Sequence, residues 1–439
     1  MKEKKNIDIK DESSNRSAAM SFDRFVPYSM LKLLGKDDVS KIELGDQVEK
    51  ELTILFADIR DFTSLSETLS PKENFDFINS YLTQMDQVIS RYSGIIDKFL
   101  GDGIMAIFPT NSDTALTCSV LMLEQLEKFN LERKAFNEPP IRIGIGLNTG
   151  LCMLGTVGGP SKMECTVISD AVNLASRLES LTKNYGVALL IGENTLNSLS
   201  DRNKFSIRFI DRVMVKGKTQ PQSIFEVYDY DKDEIKRLKT ETKPIFEEAL
   251  AHFHYKEIDL AIQLLEKCLA LNPEDKPAQM YLKRCEDFIK TGIHDGTQEL
   301  TRSIIWDDSY KIGHEEIDNQ HYQLLANSYK LINSIEKNVG KSEIIRLVAF
   351  LDNFAAHHFT TEEKLMQERN YPFLERQKKQ HISFIRSFGY LKKEIFTPGI
   401  SKTYLMFRVQ IFLVDWILNH TLKEDQHFVK YMSNSVTAN

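Results

Sequence analysis

Two small constellations of residues have the types and spacing to do chemistry. Asp58 ends the apolar run LTILFADI, and Asp102 lies in the turn LGDG further along. A carboxylate from a strand end and one from a hairpin turn converge when the strands are neighbours. Such a pair suits Mg²⁺, which takes few protein ligands and completes its shell with phosphate oxygens. Aspartates are also ordinary turn residues, so the pair alone leaves both readings open. Asn173 and Arg177 are four apart in SDAVNLASRLE, so a helix puts an amide and a guanidinium on one face. The guanidinium can fork onto phosphate oxygens; a solvated helix face would show the same spacing.

The second constellation is rich in histidine. None of the first 251 residues is His, whereas seven of the ten histidines lie between His314 and His427. In HHFTTEEKLMQERNYPFLERQKKQH, spanning 357–381, His358 and Glu362 are four apart, as are Gln377 and His381 after the Pro372 break. His321 stands in IDNQHYQLL, and His420 and Asp425 in WILNHTLKEDQHF. A lone histidine here reads as a surface or satisfied core residue. One imidazole from each of four helices, plus two carboxylates, is the inventory for two iron ions bridged by carboxylates inside a bundle. Gln377 occupies a place where a further imidazole is expected, and an amide oxygen is a harder, weaker ligand.

The elements that must position these residues follow from the whole chain. Its 439 residues are too many for one ordinary core and predict two or three domains. Hydrophobic residues at 42% and charged residues at 27% are those of a globular protein, and a net charge of -7 gives no reason to expect nucleic-acid binding. The five cysteines are scattered and never spaced C-x-x-C, which fits free thiols in a reducing compartment. No signal peptide is apparent, and the apolar run at 404–418 is broken by Arg408, Gln410 and Asp415. No membrane span and a cytoplasmic location are therefore expected.

Residues 1–20 are polar, and 22–35 suggest a short helical lead-in, together an N-terminal arm over 1–45. Across 46–232, strands alternate with helices. PKENFDFINSYLTQMDQVISRY places Phe75, Ile78, Leu82, Met85 and Ile89 on one stripe. GIIDKFLGDGIMAIFP reads as two strands around a glycine-bounded turn. Further helices are expected at 113–134 and over SDAVNLASRLESLTKNYG, with strands at IRIGIGLNTG, 187–192, 207–215 and 222–229. This order predicts an α+β, ferredoxin-like βαββαβ core. Residues 238–292 are all-helical and resemble a tetratricopeptide unit, which cannot bury both its faces alone. Residues 301–435 read as an all-α four-helix bundle, its helices centred near 317–335, 341–368, 374–395 and 402–432.

ILFADIRDFTSLSE, DKFLGDGIMAIF, TVISDAVNLASRLE and VMVKGKTQPQSIFEVY resemble the four signature blocks of class III nucleotide cyclases, in the family's order. The resemblance implies that Asp58 and Asp102, helped by the Ile59 carbonyl, hold two Mg²⁺ or Mn²⁺ ions. It implies that Asn173 orients the ribose, Arg177 stabilises charge on the transferring phosphoryl group, and Lys216 holds the terminal phosphates, with Lys218 close by. The purine-reading pair falls on Lys98 and Thr166, a combination that argues for ATP over GTP. Class III sites are shared between subunits, which implies a homodimer.

The C-terminal blocks resemble the hemerythrin family, including Trp306, Tyr371–Pro372 and Trp416. Its seven ligand positions fall on His321, His358, Glu362, Gln377, His381, His420 and Asp425. Six match in type and Gln377 replaces a histidine; His314, His357 and His427 match none. A non-haem di-iron centre that meets O₂ or another redox ligand is implied. The chain is thus expected to be an adenylate cyclase regulated through that centre. A guanylate cyclase, or an iron-binding sensor with a silent cyclase fold, are the competing expectations.

Overall fold

A computed structural model of the chain describes residues 28–159, 161–214, 221–292, 306–307 and 310–436. They divide into two compact units, Met1–Ile207 with Phe225–Asp231 and Arg208–Ile224 with Lys232–Asn439. The arm expected over 1–45 is described only from Tyr28, where helix α1 (Tyr28–Leu33) begins. Among the described residues no helix is long and apolar enough to cross a membrane, and Cys118, Cys152, Cys165, Cys268 and Cys285 are all free.

The first unit is an α+β sheet domain. Its strands are β1 (Gln47–Ile59), β2 (Ile95–Leu100), β3 (Gly103–Phe108), β4 (Ile143–Gly159), β5 (Lys162–Ile168), β6 (Leu189–Gly192) and, from Phe225 onward, β8 (Gln222–Val227). They lie in the order β2-β3-β1-β4-β6-β8, with β5 paired to β4. The middle strand β1 runs antiparallel to β3 on one side and to β4 on the other. Its inner half is apolar and buried, which is why it sits at the centre. Helices α2 (Phe62–Ser66), α3 (Pro71–Arg91), α4 (Ser112–Ala135), α5 (Asp170–Tyr185) and α6 (Glu193–Ser198) complete the unit. Local chemistry sets their ends. Ser70 and Glu73 form a reciprocal capping box before α3, with Pro71 at its first turn. Ser169 caps α5 by accepting from the Ala171 and Val172 amides, and Gly186 ends it in the left-handed region.

Two expectations change here. The buried stripe of α3 is Phe77, Tyr81, Met85 and Ile89 at strict fourth-residue spacing, while Phe75 is 68% exposed. The strand expected over IRIGIGLNTG continues to Gly159 and turns back as β5, a hairpin whose mixed polarity hid it from pattern reading.

The second unit holds β7 (Ile207–Val213, from Arg208 onward) and the helical half of the chain. Helices α7 (Asp233–His254), α8 (Ile258–Leu271) and α9 (Lys276–Thr291) pack on Ala249, Phe253, Ala261, Leu265, Cys268 and Tyr281. Their remaining face is covered by β7. Arg208 forks onto Asp275 at 2.6 and 2.9 Å with both side chains fully buried. The Phe209 amide donates to Glu247, and the Tyr281 hydroxyl to the Ile210 carbonyl.

Helices α10 (Glu315–Glu336), α11 (Lys341–Glu368), α12 (Leu374–Phe396) and α13 (Lys402–Val409) share a core that includes Leu324, Leu331, Leu351, Phe359, Phe384 and Phe388. The last column is not one regular helix. After α13 come a π-helical segment Gln410–Val414, helix α14 (Asp415–Asn419), a second π-helical segment His420–Asp425, and α15 (Gln426–Val436). The Phe407 ring stacks on His254 at 5.3 Å, and the Tyr255 hydroxyl donates to Gln410 at 3.0 Å.

Candidate functional site

In the first unit, strand pairing brings the two aspartates together. β1 and β3 pair up to Ala57 opposite Ile104, so Asp58, still paired to Gly144 of β4, lies just past that pairing, toward the Gly101–Asp102 turn. Gly101 takes a left-handed φ of 69°, which an L side chain disfavours and which points the turn back toward β1. The Ile59 amide donates to Asp102 Oδ2 at 3.3 Å, and a Cβ on Gly103 would lie 3.2 Å from Asp58 Oδ1. Burial, the facing charge of Asp102 and a hydrogen bond between the two carboxyls push Asp58 up to about 7. Two carboxyls so close cannot both carry charge unless something positive lies between them. An all-oxygen donor set, partly open, fits a hard divalent cation.

Asn173 and Arg177 lie on the outer side of α5, the first exposed and the second half-buried. The helix is held close to the sheet because Gly146 has no side chain. A Cβ there would meet the Glu179 amide at 2.2 Å and the Ala175 carbonyl at 2.4 Å. Arg60, two residues past Asp58, pairs with Glu179 at 3.0 Å and donates to its carbonyl at 3.2 Å. That contact ties the aspartate strand to the Asn/Arg helix. Lys216 lies outside the described residues.

Lys98 and Thr166 come from β2 and β5 and meet at one carboxylate. The Thr166 hydroxyl donates to Asp97 Oδ2 at 2.9 Å, and Lys98 Nζ lies 3.5 Å from the same oxygen. Asp97 escaped the sequence reading because strict alternation sends neighbours to opposite faces. The β2–β3 register shifts between Ile96 and Lys98, a local bulge that frees Asp97 from that rule.

In the second unit, all seven C-terminal residues named from sequence are buried. Glu362 is their centre. Its Oε1 lies 3.5 Å from both His321 Nε2 and His358 Nε2, and its Oε2 lies 3.4 Å from His381 Nε2 and 3.6 Å from His420 Nε2. Asp425 repeats the division, with Oδ2 3.2 Å from His321 and Oδ1 3.3 Å from His420. His321, His358 and Glu362 form one group that could hold a metal, and Glu362, His381 and His420 form another. Gln377, one turn before His381, is 1% exposed with both amide atoms unpartnered.

The orientation of these rings is fixed from behind. His358 Nδ1 meets Gln320 Oε1 at 3.0 Å and His381 Nδ1 meets Glu363 Oε1 at 2.8 Å, so each presents its Nε2 inward. Phe359 stacks on His381 at 4.0 Å and Trp416 on His420 at 4.4 Å. Burial pushes His358 down to about 3, leaving a neutral imidazole with a free lone pair. Burial alone would raise Glu362, but His358 and the nearby imidazoles of His321, His381 and His420 hold it well below the usual carboxylate range. Yet both oxygens of Glu362 and of Asp425 lack hydrogen-bonding geometry to any partner. Buried acceptors left so are costly, and converging imidazoles and carboxylates of this kind fit iron. Of the other histidines, His427 Nδ1 meets the Tyr371 hydroxyl at 2.6 Å, His357 lies beside the Phe354 ring, and His314 precedes α10.

The first unit thus combines an α+β sheet with facing carboxylates at one strand end and an amide and a guanidinium on one helix. Residues 44–228 match the adenylate and guanylate cyclase catalytic domain, and the chain carries that domain. The adenylate cyclase of Anabaena cylindrica is 46% identical over 213 residues, 47% of this chain and 42% of that protein. The terminal-differentiation-specific adenylate cyclase of Dictyostelium discoideum is 35% identical over 299 residues, 64% of this chain and 14% of that protein. The chain thus spans less than half the length of either relative. Among solved structures, the adenylyl cyclase CyaB from P. aeruginosa is 33% identical with a TM-score of 0.39, over 43% of this chain and 98% of that one.

Proposed function

We propose that the chain is an adenylate cyclase, converting ATP to 3′,5′-cyclic AMP and pyrophosphate, with a C-terminal dinuclear non-haem iron centre that regulates it. The cyclase reading rests on the convergence of Asp58 and Asp102 at the end of β1, in a domain shared with two named adenylate cyclases. Mg²⁺ or Mn²⁺ ions on Asp58 and Asp102 would supply Lewis acidity at the α-phosphate and make the ribose 3′-hydroxyl more acidic. Asn173 orients the ribose, while Arg177 and Lys216 balance the charge that grows on departing pyrophosphate. Lys98 and Thr166 hold the adenine. Fixing both ends of one ATP turns the attack into a positioned intramolecular event.

The Asn/Arg pair faces outward on α5. Met153, Val157, Met163 and Ile168 also leave 38–60% of their surface exposed on β4 and β5. Both features support a homodimer in which one subunit gives the carboxylates and its partner the pair.

The iron reading rests on Glu362, whose two oxygens are divided between two imidazole pairs. His321, His358, Glu362 and Asp425 would hold one iron; Glu362, Asp425, His381, His420 and Gln377 the other. When bound, such a centre supplies reversible redox chemistry and a place for O₂ or a related ligand. The deciding measurement is cyclic AMP made by the purified full chain from MgATP and MnATP, as isolated, after reduction and after iron removal. Product with either metal supports the cyclase, and none with both refutes it. A rate indifferent to iron state refutes the regulation alone.

A further inference from the structure

We infer that Asp97 is a specificity-determining residue of the nucleotide site: by taking the hydroxyl proton of Thr166, it makes Thr166 an acceptor that reads the adenine amino group. The inference rests on the proposed role of Lys98 and Thr166 as the base-reading pair.

A threonine hydroxyl has one proton and lone pairs to accept with, so on its own it reads a donor or an acceptor equally well. In this chain the choice is made. The hydroxyl proton of Thr166 points to Asp97 Oδ2 at 2.9 Å, leaving only lone pairs for a base. Lys98 offers only donors, with its ammonium 3.5 Å from the same oxygen and 3.6 Å from Glu164. The pair therefore presents one donor and one acceptor. Adenine presents the complement, an N1 acceptor beside a 6-amino donor. Guanine presents the reverse, an N1–H donor beside an O6 acceptor. With guanine, N1–H would face the ammonium and O6 the Thr166 lone pairs, leaving polar groups unsatisfied on both sides.

The surroundings of Asp97 give it no other evident task. Its side chain is fully buried, its Oδ2 serves only Thr166 and Lys98, and its Oδ1 is buried without a hydrogen-bond partner. Burying a carboxylate is unfavourable, and nothing structural is gained here that a neutral side chain would not give. The backbone also departs from regularity at this point, since the β2–β3 register shifts between Ile96 and Lys98. Bulges of this kind re-aim side chains beside active sites. With that shift Lys98, the sequence neighbour of Asp97, reaches the same carboxylate oxygen as Thr166.

The test uses the full chain and two readouts, the ATP:GTP ratio of kcat/KM and the affinity ratio of 3′-deoxy-ATP to 3′-deoxy-GTP. Asp97→Leu is similar in shape, carries no acceptor and frees the Thr166 proton to turn toward the base. Both ratios are expected to fall by about tenfold or more, with GTP gaining as ATP loses. Thr166→Ser keeps the hydroxyl and is expected to keep the ratios. In a Thr166→Val background, Asp97→Leu is expected to leave them unchanged, because the coupling runs through the hydroxyl. Equal loss for both nucleotides, or an undiminished Asp97 effect in the Thr166→Val chain, would overturn the assignment. A wild-type chain that cyclises neither nucleotide would instead refute the cyclase reading, and the analogue affinities would still decide the role of Asp97.

Discussion

Gln377 and Glu362 make opposite demands on the iron reading. Glu362 faces four imidazoles from four helical columns, whereas Asp425, which also reaches both halves, meets only His321 and His420. Glu362→Ala is therefore expected to reduce bound iron from two per chain to below one. His358→Ala, which removes one donor from one half, is expected to leave about one. Metal analysis of the purified chains checks both. Gln377→His adds an imidazole where two unpartnered amide atoms are now buried. It is expected to keep two irons and shift the visible absorption, and an unchanged spectrum would mean that position 377 touches no metal. The candidate pairs His358/Glu362 and Gln377/His381 could be read from the sequence because each spans about one helical turn. Gln320 and Glu363 could not, since they act on imidazoles of other helices, and Asp97 was hidden by a bulge.

At the scale of elements, His420 and Asp425 show why helix periodicity alone was insufficient. Five residues along an α-helix rotate by about 500°, putting the side chains roughly 140° apart. The π-helical segment His420–Asp425 bonds with a longer period and returns the fifth residue to nearly the same side. Sequence reading named both residues as candidate ligands but took 402–432 as one regular helix. Reading 238–292 as a helical repeat foresaw a face needing cover, but not that β7 covers it. Arg208 anchors that cover through Asp275, with Phe246 4.8 Å beneath its guanidinium. Asp275→Ala removes the forked carboxylate partner of a buried guanidinium and is expected to cost about 3–5 kcal/mol in denaturant unfolding. Arg208→Met with Asp275→Leu is expected to recover most of it, because two apolar side chains need no desolvation. If the double variant is as unstable as the single one, the pair fixes the alignment of β7 in a way that packing cannot replace.

At the scale of the molecule, the divided placement of the catalytic groups makes a quantitative demand. If each site takes Asp58 and Asp102 from one subunit and Asn173 and Arg177 from its partner, neither Asp58→Ala nor Arg177→Ala chains can form an intact site alone. Mixed in equal amounts and allowed to exchange, half of the dimers pair one variant with the other. In each such dimer one site carries both lesions and the other carries none. The mixture should therefore regain about a quarter of the wild-type rate per chain. Recovery should rise with exchange time and vanish when the two variants are held on separate, non-exchanging dimers. A site built within one chain predicts no recovery at any ratio. Because the proposed iron ligands all lie in the second unit, the same mixture should bind iron as fully as the wild type. That contrast separates a shared catalytic site from a general failure of the subunits to fold.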